Sequence, residues 1–339
     1  MIVASRRFPL WLAIACAGLV VLVAWSFSVG RFPVSIADVW RALWAGLTGG
    51  ESGLAANVQA VVTQVRAPRV AGAIAVGAAL AAAGAAYQGL FKNPLVSPDI
   101  LGVTAGCALG AGIAILMSMP VGAIQALAFV GGLLAVGLVI LVGTWIGGRD
   151  PILTLVLTGV VVGSLFGAGI ALVKYIADPY NQLPAITFWL MGSFASASPT
   201  EVRSLLPAVA LALAVLIALA WRVNLLALPE DEARALGVNT RRLRAAVIAA
   251  ATLATSASVA VSGIIGWVGL VVPHMARLLV GPEFSRLLPV AALIGAAFML
   301  AIDTLARTAA PIEVPPGILT AVVGTPVFIV LLARARRAF

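Results

Sequence analysis

The sequence predicts an all-α polytopic membrane protein, with about ten transmembrane helices forming a single membrane domain over residues 1–339. Three observations carry this. The chain is 62% hydrophobic and only 10% charged, with a mean hydropathy of +1.13, whereas soluble domains are about 45–50% apolar and about 25% charged. Apolar runs of roughly 20 residues, the length that crosses a hydrocarbon slab of about 30 Å, recur along the chain. The cations lie mostly between those runs, where they orient a chain in a bilayer rather than bind nucleic acid, despite a formal charge of +9.

In order, spans are expected at 9–29, 68–91, 97–115, 121–146, 152–176, 201–221, 243–263, 265–280, 287–307 and 317–334, the third and eighth short and interrupted by Pro or Gly. The first begins after Arg6 and Arg7 like a secretory leader, but its apolar run is longer than a typical h-region and no clear A-x-A site follows; it is read as a first span. In the second, Ala73, Gly77, Ala81, Ala85 and Gly89 recur every four residues. Such a face lets helix backbones approach closely, so this helix is expected to be buried among its neighbours. Cys16 and Cys107 both lie in apolar runs and make no metal spacing or disulfide framework.

With the N-terminus inside, fourteen of the 21 Lys and Arg fall on the inner side and seven on the outer side. That two-to-one bias places both termini in the cytoplasm. The stretch QGLFKNPLVSPDILG (88–102) then lies at the inner end of the second span. Pro94 and Pro98 stop one helix and restart another, while Asn93, Ser97 and Asp99 can satisfy freed backbone groups. Irregular backbone at membrane depth is tolerated only where protein packs on it or it lines water, so the stretch is either a tight turn or a constriction on a path.

R-x-P-R at 66–69, the Gly/Ala-rich helix after it and QGLFKNPLVSPDILG together resemble the permease subunits of type II ABC importers, the FecCD or cobalamin-permease-like family. The likeness continues through FWLMGSF (188–194), NLLALPEDEARALG (224–237), GIIGWVGLVVPHMARLLVG (263–281), DTLART (303–308) and PPGILTAVVGTPVF (315–328). It implies a type II ABC importer permease fold with both termini inside, in the cytoplasmic (inner) membrane. It also implies a homodimer, two copies of a separate ABC ATPase, and a periplasmic or lipoprotein substrate-binding protein, with membrane lipid around the whole. The cargo implied is an iron chelate, most concretely a ferric siderophore, with haem, cobalamin or molybdate as alternatives.

The resemblance gives roles to three constellations. Arg66 and Arg69 share a helix face on the outer side, and with Arg307 they match arginines that meet acidic groups on the binding protein; snorkelling to lipid phosphates is the competing reading. Asp303, one turn before Arg307, is expected to pair with it and hold it outward. Residues 226–244 form the most charged segment of the chain; Leu226, Leu228, Ala233 and Leu236 can make an apolar side, with Gly237 as a helix stop. The family places ATPase-coupling helices there, with Leu226, Leu228, Glu232, Ala233 and Gly237 as the coupling residues. Asn93 and Leu95 match cytoplasmic gate positions, and Pro151, Ile152 and Leu153 supply a second gate. The second departs from the small polar residues of the cobalamin-type pattern: either so apolar a gate closes by dewetting, or the gate loop is shifted along the sequence.

Enzymatic readings find no support. No G-x-x-x-x-G-K-[ST], H-E-x-x-H or G-x-S-x-G occurs, so ATP hydrolysis belongs on a partner, and no catalytic residue, cofactor or metal ligand is assigned. His274, alone after Pro273, is read as structural. A secondary transporter working without an ATPase is the competing class.

Overall fold

The structure is a computed structural model and describes residues 2–30, 32–147 and 151–335. The described residues form thirteen α-helices: α1 (Ile2–Ser28), α2 (Ile36–Thr48), α3 (Ala56–Leu90), α4 (Val103–Leu116), α5 (Val121–Ile146), α6 (Pro151–Ile176), α7 (Gln182–Leu190), α8 (Pro199–Leu225), α9 (Glu230–Ala235), α10 (Thr240–Ser262), α11 (Val268–Val280), α12 (Phe284–Thr308) and α13 (Pro316–Ala335). Four cations of the charge tally, Arg31, Arg149, Arg336 and Arg337, lie outside the described residues. Among the described residues there is no strand.

Each expected span has a helix. Among the described residues, seven helices are long and apolar enough to cross a membrane, and shorter apolar helices occupy Val103–Leu116, Val268–Val280 and Pro316–Leu331. The first two of these reach only about 20 Å at 1.5 Å per residue. The expected third span is broken because Pro98–Leu101 forms a 3₁₀ turn and Gly102 takes φ +73° before α4 begins. The expected eighth is shorter still, since 263–267 is non-helical and α11 starts after Trp267 at φ +70°.

Helices α2, α7 and α9 add to the expected spans, and α3 starts twelve residues before its expected span. At 35 residues, α3 is roughly 52 Å long and must project beyond a slab of about 30 Å. Its Val61–Arg66 stretch widens into a π turn. There α2 packs, burying Val39, Ala42 and Ala45. Ser35 caps α2 by accepting from the Asp38 amide at 3.1 Å, and Gly49 ends it at φ +70°.

The core is built around α3, against which α12, α10, α8 and α11 pack. Its small-residue stripe is the reason: Ala73, Ala81 and Ala85 are fully buried. A Cβ on Gly77 would sit 2.2 Å from the Gly295 carbonyl oxygen of α12, and one on Gly84 would sit 1.9 Å from that of Gly269 on α11. No side chain fits at either crossing. A second close pair joins α4 to α5, where Gly106 lies against Gly131.

Exposed aromatics mark the two ends of the bundle, as interfacial belts do. Trp145 and Trp221 are exposed near the last turns of α5 and α8; Trp25, Trp40, Trp44, Tyr175 and Tyr180 are exposed at the opposite end. We call the first the lever end, after α9, and the second the arginine end.

Candidate functional site

At the arginine end, Arg66 and Arg69 come from the start of the buried part of α3, and Arg307 from the last turn of α12. The structure brings all three together, at one cavity of about 230 Å³ that Asp303 and Glu313 also line. Their guanidiniums turn inward. Arg66 donates to the Phe27 and Phe32 carbonyls. Arg307 donates to the Val29 carbonyl at 2.5 Å, to the Ser26 carbonyl, and to the Ser26 hydroxyl at 3.0 Å. Ser26, Phe27 and Val29 lie at the C-terminus of α1, where helix carbonyls lack intrahelical partners and the macrodipole is negative. Two arginines from distant parts of the chain therefore cap the first span.

Arg69 is held by carboxylates. Its Nε lies 2.9 and 3.0 Å from the two Asp303 oxygens, and its terminal nitrogens each lie 3.0 Å from a Glu313 oxygen. The expected Asp303–Arg307 pair is present only as a long contact, and it does not hold Arg307 outward. Asp303 sits 4.0 Å from Arg307 Nε, too far for a hydrogen bond, and its close partner is Arg69. Arg307 points to the α1 carbonyls because those acceptors are otherwise unpaired, while Asp303, 1% exposed, already has Arg69 in full contact. Arg66 and Arg69 are 6% and 8% exposed, and Glu313 is the most open charge of the cluster. Nothing in local sequence spacing pointed to Glu313 or to the carbonyl partners.

At the lever end, Pro229 starts α9 and Gly237 ends it. The Val238 amide donates to the Ala233 carbonyl at 3.1 Å and the Gly237 amide to that of Arg234 at 2.9 Å, with Gly237 at φ +78°. This is a Schellman stop, which needs a left-handed residue. Leu226 and Ala233 are buried and Leu228 is half-buried, while Glu232 is exposed; Leu236 is 60% exposed, so it does not join the expected apolar side. Glu230 clips α9 to α10: its carboxylate accepts from the Thr240 hydroxyl at 3.0 Å and pairs with Arg234 at 2.8 Å and, more loosely, with Arg244 at 3.9 Å. The Thr240 hydrogen bond, aided by the two arginines, holds this carboxyl below its usual range.

The two expected gate stretches are at this end as well. Asn93 accepts from the Leu95 amide at 2.9 Å in an Asx turn, and both residues are exposed. Pro151, Ile152 and Leu153 open α6, with Leu153 exposed. Gly159, two turns later, packs directly on the Ile100 carbonyl. Lys92, a non-glycine residue at φ +51°, reaches from the Asn93 loop to the lever and donates to the Ala227 and Leu228 carbonyls at 3.3 and 3.2 Å. A sequence reading had no means of finding that link. Deeper, Gln88 accepts from Arg277 at 3.0 Å and donates to the Leu270 carbonyl at 3.2 Å, fixing the end of α3 to α11. His274, on α11, is half-buried.

Known proteins resemble the chain over nearly its whole length. The model of the FecCD transport family matches residues 18–334. The molybdate import system permease protein MolB of Haemophilus influenzae is 40% identical, with 94% of each chain covered. The cobalamin import system permease protein BtuC of Halobacterium salinarum is 36% identical, with 97% of each covered. A solved structure described as an inward-facing conformation of a metal-chelate type ABC transporter superposes with a TM-score of 0.87 at 38% identity, covering 96% of this chain and 99% of that one. The chain belongs to the FecCD transport family, as a multi-span permease of ABC importers whose ATP hydrolysis resides on a separate subunit.

Proposed function

We propose that the chain forms, as a homodimer in the inner membrane, the conduit through which a type II importer passes a metal chelate, with the lever end and both termini in the cytoplasm. Residues 1–339 act as one membrane domain, surrounded by lipid. One observation carries the reading: Lys92 ties the Asn93–Leu95 loop to the segment that leads into α9. A displacement of the lever is thereby passed to the loop through two hydrogen bonds from a cation. Leu226, Leu228, Glu232, Ala233 and Gly237 then form the part on which each of two ATPase copies pushes. Asn93 and Leu95 form one cytoplasmic gate and Pro151, Ile152 and Leu153 a second, which closes by excluding water from an apolar constriction.

At the other end, Arg66, Arg69 and Arg307 outnumber Asp303 and Glu313 by one charge around an open cavity. The residual positive field there would steer the acidic face of a substrate-binding protein, and docking would proceed with Glu313 as the outermost group to be displaced. The cargo we propose is an iron chelate such as a ferric siderophore. A molybdate-type oxyanion is the second reading, favoured by the 40% identical relative named for molybdate.

Reconstitution with the partner ATPase and binding protein tests both levels. ATP-dependent uptake of a radio-iron siderophore in proteoliposomes supports the first cargo, and uptake of molybdate alone supports the second. Gradient-driven uptake without the ATPase would sink the importer reading.

A further inference from the structure

We propose that the lever end carries a binding site for the headgroup of an anionic phospholipid, between the last turn of α8 and the first turns of α10. A cavity of about 540 Å³ opens there. Leu219, Leu243 and Ala246 give it apolar lining, Trp221, Arg222 and Arg242 add an aromatic and two cations, and the 236–239 turn after α9 completes it. No carboxylate is among the residues that line it. The Arg222 and Arg242 guanidiniums are exposed and make no hydrogen bond or ion pair among the described residues, unlike Arg234 and Arg244 beside them, which Glu230 engages.

Two unpaired cations beside apolar side chains match a molecule that is anionic at one end and hydrocarbon at the other. The surroundings favour lipid over protein as its occupant. Ile217 and Trp221 are one turn apart on α8 and both stand exposed, so the cavity continues the outward-facing side of a helix that the core covers only in part. Trp221 occupies the position expected of an interfacial aromatic. Basic pockets between transmembrane helices near the membrane surface hold anionic headgroups through their phosphates. Gly237 belongs also to the segment proposed to meet the ATPase, and because the test uses the permease alone its failure is distinguishable from failure of the importer reading.

The experiment uses the full permease in neutral detergent, titrated with acyl-brominated phosphatidylglycerol and, separately, with acyl-brominated phosphatidylcholine. Tryptophan emission is the readout, and W221F identifies the component from the site. Phosphatidylglycerol should quench that component at least ten-fold more readily than phosphatidylcholine. From roughly five-fold per basic residue, R222Q/R242Q should shift the phosphatidylglycerol midpoint by about twenty-five-fold, and R222K/R242K should retain most of the preference. Both arginines are unpaired, so these changes break no internal bond. Equal quenching by the two lipids overturns the proposal, as does a preference that survives R222Q/R242Q. Relief of quenching by inorganic phosphate at matched ionic strength would make it a free-anion site instead. Unchanged lipid selectivity with weakened ATPase capture by R222Q/R242Q would make it a protein contact.

Discussion

Arg69 and Arg234 are both arginines paired with glutamate, yet they belong to two kinds of structure. At the arginine end, Arg69 spends its fork on two carboxylates in a site where it is 8% exposed, and its neighbours cap the end of α1. At the lever end, Arg234 meets Glu230 four residues away, with side chains 64% and 39% exposed. Buried, multiply bonded charges fix geometry, because removing one partner strands the other away from water. Exposed i,i+4 pairs contribute little and reform easily. One end of the bundle is pinned by buried pairs, and the other is held by exposed ones.

The contrast can be broken most severely at Arg69. R69A leaves Asp303 buried without its close partner, and should destabilise the protein by about 3–5 kcal/mol, read as a fall in the unfolding midpoint in detergent; an unchanged midpoint would remove the pinned end. G237A comes next. An L-residue forced into the left-handed region costs roughly 1–2 kcal/mol, here concentrated in the α9 stop. Hydrogen exchange should speed up over 230–240 while the global midpoint barely moves, and ATP hydrolysis should continue with reduced uptake.

K92M sharpens the comparison with a smaller energetic effect, about 1 kcal/mol or less for exposed bonds. Its signature should be functional: hydrolysis persists, transport falls, and the Asn93 loop exchanges faster. Wild-type coupling in K92M would show that the strap transmits nothing. The smallest effect concerns pH. Glu230 titrates below its unfolded value, so its contribution is present above the ordinary glutamate range, near pH 4.3, and is lost as pH falls through the lowered folded value. Protection of the α9–α10 junction should therefore weaken in acid, and E230Q should abolish that dependence.

Much of the architecture was legible because span length and small-residue register are local properties. The stripe from Ala73 to Gly89 announced a buried helix, and α3 is the centre of the bundle. Legibility failed where partners are remote. Asp303 and Arg307 have ideal spacing for a pair, but Arg69 arrives from 234 residues away with a better approach. Lys92 meets carbonyls 135 and 136 residues on, and Glu313 sits in a loop with no periodicity to place it. Helix α2 is a different failure: Ser35, Asp38 and Gly49 spelled out its boundaries, yet its length is too short to register when only spans are sought.

Capping of α1 by Arg66 and Arg307 has a consequence for how the protein is made. The first span enters the bilayer early in synthesis, but one of its two clasps is a side chain some 280 positions further along. Until α12 has been inserted, the exit of α1 is only half fastened. Final locking of α1 thus waits until the helices from α2 to α12 have been made, and chains released before α12 would present an unfinished end to quality-control proteases.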